Sequence, residues 1–395
     1  MTEPTPSHTG TPAPARPLPR WVPWLIAATP VFPPLYAAAF GTLRTLRDLP
    51  KSVQYVLWFF VGTQLLAALL APQPLLSLPL AAARALLVLA MISAGMYLRD
   101  SRRLRYVVWG ELIVFATAWT FTLATGGPES ILNRLGHPYY YFVSLGLLCT
   151  VALWIIVSWK GANPWWRFPA GAFALATLIA SGSRGPILAL AAGALAAVLV
   201  GNFRYLRALA LIGLIGVTAL GFIPAVRDVN PAERIATSGL SGRDQVWQGA
   251  LNAFKDNPLG GQGPYQIGPF LTYLNKDGCH LTPTLEQAGV TCPQWLARFS
   301  GAWLIAHNVL LHSLAETGVI GTLGLIILYG FGAVVVWRSR DGLLLAIFWG
   351  FTAMNMVDVV TAVPSPHFSE LFWVAVGMAI VSAPRVIRSP VELKT

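Results

Sequence analysis

His307 opens the stretch H-N-V-L-L-H-S-L-A-E-T-G-V-I-G-T (307–322), where a long polar loop gives way to an apolar run. Imidazole is the side chain best suited to accept a proton near neutral pH, so His307 is the first candidate for a general base. Read as a helix, the stretch places His307 and Asn308 at a water-facing mouth, with Gly318 and Gly321 deeper. Gly318, Gly321 and Gly324 recur every three residues and leave one face as bare backbone, which in lipid means close helix packing. An interfacial histidine above a packing face satisfies the same pattern without catalysis. His312 and Glu316 stand i, i+4 and can pair on one face, as a buried structural bond or as part of a site.

Arginines supply the complementary chemistry. Arg184 lies in S-G-S-R-G-P (181–186), between two short apolar runs. An arginine costs about 2.5–3.5 kcal/mol at the centre of a membrane helix and less at its edge, so a partner is expected. An anionic ligand, a lipid phosphate and a helix C-terminus all qualify. Arg243 falls in S-G-R-D-Q-V-W-Q-G-A-L-N-A-F (241–254), which reads as an amphipathic helix with Val246, Trp247, Ala250 and Phe254 on its apolar face. Ser241 and Asp244 form a capping-box pattern at its start. Helix N-termini favour anions, and a guanidinium there adds bidentate contacts to a phosphate; a solvated surface arginine fits the sequence equally well. Arg134 and His137 precede Pro138, while Arg84 sits inside one apolar run and Asp358 near the end of another, where the two can pair.

The elements that must position these groups belong to a membrane. Of the 395 residues 55% are hydrophobic and 11% charged, against about 25% charged in a soluble domain. Long apolar stretches with short polar breaks indicate a helical bundle and not a barrel. They fall at about 21–40, 52–71, 74–98, 106–125, 139–159, 168–181, 186–200, 208–223, 303–337, 342–360 and 370–384, giving an all-α polytopic protein of about 11–12 transmembrane helices. Residues 1–20 read as a disordered tail, 21–223 and 307–384 as membrane helices, 224–306 as a long exported loop and 385–395 as a cytoplasmic tail. The net charge of +11 matters through its placement. Arg99, Arg102, Arg103 and Arg105, then Arg204 with Arg207, Arg338 with Arg340 and Arg385 with Arg388 can all lie inside the cell, leaving 126–138, 182–185, 224–306 and 361–369 outside. The N-terminus resists this scheme. Arg16 and Arg20 ask for the tail inside, and Arg44, Arg47 and Lys51 ask the same of the next loop, yet a single crossing separates them. Pro30, Pro33 and Pro34 interrupt that stretch, so two half-helices or a further span remain open.

The outer face thus gathers Arg134, Arg184, Arg243 and His307, a set suited to a diphosphate-bearing lipid. The glycine and proline cluster N-P-L-G-G-Q-G-P-Y (257–265) is not a Walker motif and is expected to bend the chain back over the membrane surface. No D-x-D occurs in the exported loop, whose six acidic and six basic residues are interspersed, so no metal cofactor is expected. Cys149 reads as inert packing; Cys279 and Cys292 share the exported loop and are expected to bridge in an oxidising compartment.

H-N-(nine residues)-G-V-I-G-T resembles the signature of the bacterial O-antigen ligase and polymerase family. S-R-G after an apolar helix, G-R-D-x-x-W ahead of N-P-L-G-G-Q-G-P, and a long loop before the histidine helix agree with it, over roughly residues 50–385. The resemblance implies a C-type-glycosyltransferase-like helical fold in the bacterial inner membrane. It implies an inverting, metal-independent transfer of a glycan from undecaprenyl diphosphate to a lipid A–core or glycan acceptor on the periplasmic face, with no nucleic acid involved. By the match His307 takes the acceptor proton and Arg184 and Arg243 hold the diphosphate. Arg134, His137, Asn308, His312, Glu316 and Arg84 are secondary candidates. A polymerase of lipid-linked repeat units would use the same donor chemistry. A flippase or exporter is the reading from another class, but it calls for a charged central cavity. Outside the histidine helix and Glu370 at the start of the last run, the apolar runs hold only the isolated ionisable residues Arg84, Glu111 and Asp358.

Overall fold

The computed structural model describes residues 18–159, 161, 163–201, 206–211, 243–271, 304–364 and 367–383. Its helices are α1 (Trp21–Ala28), α2 (Lys51–Leu70), α3 (Pro74–Leu98), α4 (Val107–Asn133), α5 (Phe142–Ser158), α6 (Pro164–Ala180), α7 (Arg184–Val200), α8 (Arg243–Asp256), α9 (Val309–Ser339), α10 (Gly342–Met354) and α11 (Glu370–Ser382). The chain is an all-α polytopic membrane protein, and no strand occurs among the described residues. Residues 212–223 of one expected span, Ser241 and both loop cysteines lie outside the described residues. Cys149 is fully buried in apolar packing, as expected.

Close backbone contact holds the bundle together. A Cβ on Gly95 would strike the Val374 carbonyl, and one on Gly377 the Ile92 carbonyl, so α3 and α11 lie backbone to backbone. Gly193 and Gly350 do the same for α7 and α10 around the buried Trp154 indole. Small residues are what such contacts require where lipid provides no hydrophobic drive between helices.

Both ends of the bundle can be recognised. Ser101 Oγ bonds Asp341 at 2.5 Å, Arg340 Nη1 donates to the Val200 carbonyl at 3.3 Å, and Ser382 Oγ donates to the Arg99 carbonyl at 3.4 Å. The basic segments 99–106 and 338–341 therefore share one end, as the charge pattern asks. The N-terminal difficulty resolves as a hairpin. α1 is only 8 residues, and a 3₁₀ helix (Pro33–Asp48) returns along α3, where Thr45 Oγ1 meets Ser93 Oγ at 2.9 Å. Entering and leaving at one end lets both arginine-bearing flanks sit there, and the prolines supply the reversal.

Fewer helices reach full spanning length than the hydropathy suggests. Among the described residues four do, within Lys51–Leu70, Pro74–Leu98, Ser101–Ile131 and Val309–Ser339, while α5, α7, α10 and α11 are apolar but shorter. The reason lies at the opposite end, where irregular backbone sinks into the bundle. Segment 355–364 is mostly buried, with Asn355 Nδ2 donating to Tyr329 Oη of α9 at 2.8 Å and Val360 N–H to Asn355 Oδ1 at 3.0 Å. Irregular backbone is tolerated at membrane depth when protein satisfies its polar groups.

Candidate active site

The expected glycine-faced helix is present but broken. Asn308 does not continue it: its side-chain oxygen accepts from the Leu310 and Leu311 amides at 3.0 and 3.1 Å, making it the N-cap of α9. His307 therefore precedes the helix, at φ 48°, and not on its first turn as the sequence suggested. At Gly318 (φ 58°, ψ −164°) α9 breaks into two helices, because a helical backbone cannot be continued through that conformation. Close packing on the glycines does hold: a Cβ on Gly324 would strike Thr63 of α2, and Gln64 Nε2 donates to the Gly321 carbonyl at 2.8 Å.

His307 is about one-third exposed, and its Nδ1 lies 3.2 Å from Oδ1 of the buried Asp358. The Asp358 carboxylate also accepts from the Val359 amide at 2.8 Å. An ionised carboxylate only accepts, so Nδ1 carries the proton and Nε2 offers its lone pair outward. His367 lies behind the pair, buried, with Ser144 Oγ 3.0 Å from its Nδ1. The sequence left a pairing of Asp358 with Arg84 open. That pairing does not form, because Arg84 is taken by Glu316.

Arg184 begins α7 and Arg243 begins α8, and the two lie within electrostatic reach of each other. A Cβ on Gly185 would meet the Met354 side chain at 3.0 Å and Val357 at 3.7 Å, which puts Arg184 beside the segment bearing Asp358. Ala306 packs with Val246 and Ala250 of α8, so the Arg243 helix rests against the residue before His307. The structure thus brings Arg184, Arg243, His307 and Asp358 to one end of the bundle.

The secondary candidates separate into different jobs. Arg134 donates through Nε to the Ser181 carbonyl at 3.1 Å and through Nη2 to the Gly182 carbonyl at 3.2 Å, with Phe142 beneath it, so it braces the turn that presents Arg184. His137 Nδ1 accepts from the Tyr139 and Tyr140 amides at 3.0 and 2.9 Å. Burial lowers its pKa from 6.5 to about 4, so this imidazole is neutral and structural, unlike a phosphate-binding cation. Its neutral form is favoured by folding. The resulting stabilisation is complete above pH 6.5 and lost as pH falls towards 4. Thermal melts in detergent are expected to show a decline over that window that His137→Gln reduces.

Deeper, Arg84 pairs with Glu316 through two nitrogens, and His312 Nε2 lies 3.3 Å from Glu316 Oε2, the i, i+4 pairing read from the sequence. These three line a buried cavity of about 50 Å³ together with Gln64, Ser313 and Thr317. Sequence reasoning missed Asp358 as the partner of His307, since no local pattern links positions so far apart. It also missed Tyr265, whose N–H donates to Glu316 Oε1 at 2.6 Å.

Fold and site together define a polytopic membrane protein with an imidazole–carboxylate pair and two arginines at one end of its bundle. Residues 169–326 match the family model described as O-antigen ligase, bearing out the resemblance over the stretch that contains Arg184, Arg243, His307, His312 and Glu316. Asp358 and Arg84 fall outside the matched stretch. The family implies a glycosyltransferase-like enzyme of the ligase or polymerase kind, acting on lipid-linked glycans in a membrane. No curated protein matches the chain.

Proposed function

We propose that the protein is an O-antigen ligase-like glycosyltransferase. It moves a glycan from undecaprenyl diphosphate to a hydroxyl of a lipid A–core acceptor on the periplasmic face of the inner membrane. The observation that carries this reading is the His307–Asp358 pair: a part-exposed imidazole oriented by a buried carboxylate, beside two arginines whose like charges are relieved by an anion. His307 Nε2 takes the proton from the acceptor hydroxyl as its oxygen attacks the anomeric carbon. The bond to the diphosphate oxygen breaks, and Arg184 and Arg243 neutralise the departing charge. Attack opposite the leaving group inverts the anomeric centre. No metal is called for, since cationic side chains meet the leaving group.

The test uses purified protein in vesicles with a polyprenyl-diphosphate-linked glycan and a lipid A–core acceptor, without nucleotide or divalent metal. A new glycolipid on a gel is expected. A lipid carrier would move the donor and make none. Arg243→Ala and Arg184→Ala are each expected to raise the donor KM about 10- to 100-fold, the worth of charge-assisted hydrogen bonds to phosphate. A deletion strain separates ligase from polymerase: long lipid-linked polymer that never reaches the outer lipid fits the proposal, and attached single repeats overturn it.

A further inference from the structure

The break in α9 is filled by the glycine-rich segment 257–265, which does not run over the membrane surface as its composition suggested. Val319 N–H donates to the Pro258 carbonyl at 2.8 Å and Ile320 N–H to the Leu259 carbonyl at 3.3 Å. From the other direction, Gln262 N–H donates to the Ala315 carbonyl and Gly263 N–H to the Glu316 carbonyl, both at 2.8 Å. A broken helix in lipid leaves backbone groups that must find protein partners, and this segment provides them. The fit depends on glycine: Gly261 has φ 65°, and a Cβ there would strike the backbone of Glu316 and Thr317. The chain leaving α8 is thereby joined to α9 about three turns below His307.

Tyr265 ends the segment at φ 63° and reaches three other elements. Its N–H bonds Glu316 of α9, and its ring lies 4.3 Å from the Arg84 guanidinium of α3. Its hydroxyl accepts from Arg84 Nε at 3.4 Å and donates to the Val363 carbonyl at 3.1 Å. Val363 belongs to the segment that carries Asp358. Three pieces of the candidate site therefore meet at one residue: the chain leaving the Arg243 helix, the helix entered from His307 through the Tyr265 amide, and the segment with Asp358 through its hydroxyl.

We propose that Tyr265, held by the Arg84–Glu316 pair, is a positioning residue that fixes Arg243 and Asp358 relative to His307. Its catalytic meaning rests on the glycan-transfer reading above. Arg84 is then an internal counter-ion and not a ligand of the diphosphate, because Glu316 and Tyr265 occupy its guanidinium.

Tyr265→Phe is the sharpest variant. It keeps the ring over Arg84 and the amide bond to Glu316, and it deletes the hydroxyl's two links, to the Val363 carbonyl and to Arg84 Nε. Transfer kcat is expected to fall about 10- to 100-fold, as for a small misplacement of reacting groups, with the donor KM little changed. Spin labels at the exposed positions Gln248 and Met356, in a background with Cys149, Cys279 and Cys292 replaced by alanine, report the geometry directly. The distance distribution is expected to broaden in Tyr265→Phe. An unchanged distribution overturns the proposal whatever the activity does. The distance measurement needs no substrate, so it decides the positioning role even if the wild-type protein transfers no glycan, a result that would sink the functional reading instead.

Discussion

His307→Gln is expected to lower the transfer rate by about 10²–10⁴-fold, the contribution of a well-placed general base, while leaving the folded amount and the donor KM nearly unchanged. Glutamine retains a hydrogen-bonding group towards Asp358 but cannot take a proton. The geometry makes a second, linked statement. The Asp358 carboxylate accepts from Nδ1 at 3.2 Å and so selects the imidazole tautomer whose Nε2 is basic towards the acceptor. Asp358→Asn removes the charge that stabilises the imidazolium and allows the wrong tautomer, so it is expected to act in the same direction with a smaller loss, roughly 10- to 100-fold. The two losses should not add in the double variant, because without the imidazole the carboxylate has nothing to orient. Initial rates of glycolipid formation across a pH series check all of this, and full activity in His307→Gln would remove the base from the mechanism.

How much of this could be read from residues alone depended on the range of the interaction. Local rules worked. Apolar runs announced the membrane helices, and His312 and Glu316 paired at the spacing of a helix face; the face of α8 was legible in part, with Val246 and Ala250 buried as read but Gly249 and Ala253 completing it where Trp247 and Phe254 were expected. Charge placement worked over longer distances, since the described basic segments 99–106 and 338–341 do share one end, while Arg204, Arg385 and Arg388 lie outside the described residues. What failed were junctions decided by tertiary contact. Composition cannot distinguish a turn that crosses the surface from 257–265, which fills a break in α9, because the α9 groups it bonds lie more than fifty residues away. Hydropathy made α10 run to residue 360, but the polar groups of Asn355 and Asp358 bond inward, and the chain unwinds after Met354 to let them. Charge alone left a pairing of Arg84 with Asp358 open. Each instead has a nearer partner of its own, Glu316 and His307, which only the packing of α3 against α9 reveals.

Glu316→Gln is expected to destabilise the protein by about 3–5 kcal/mol, the typical cost of stranding one member of a buried ion pair. Glu316 is 2% exposed and Arg84 12%, so solvent screens little of the interaction. The carboxylate is also a shared acceptor: the Arg84 guanidinium, the Tyr265 amide and His312 Nε2 converge on its two oxygens. A neutral glutamine can still accept from the amide, but its NH₂ group faces a guanidinium that has lost its counter-charge. Arg84→Met in the same background removes that stranded charge and fills its volume with an apolar chain. The double variant is therefore expected to melt well above Glu316→Gln and close to the wild type, since an apolar replacement of a whole buried pair is often neutral. Melting of the purified proteins in one detergent, followed by intrinsic fluorescence, makes the comparison. If Glu316→Gln alone melts like the wild type, the pair is not the internal counter-charge described here. The outcome also bears on chemistry. Recovery of stability in the double variant without recovery of transfer would place the value of Arg84 and Glu316 in holding Tyr265, and through it the distance between the arginines and the base.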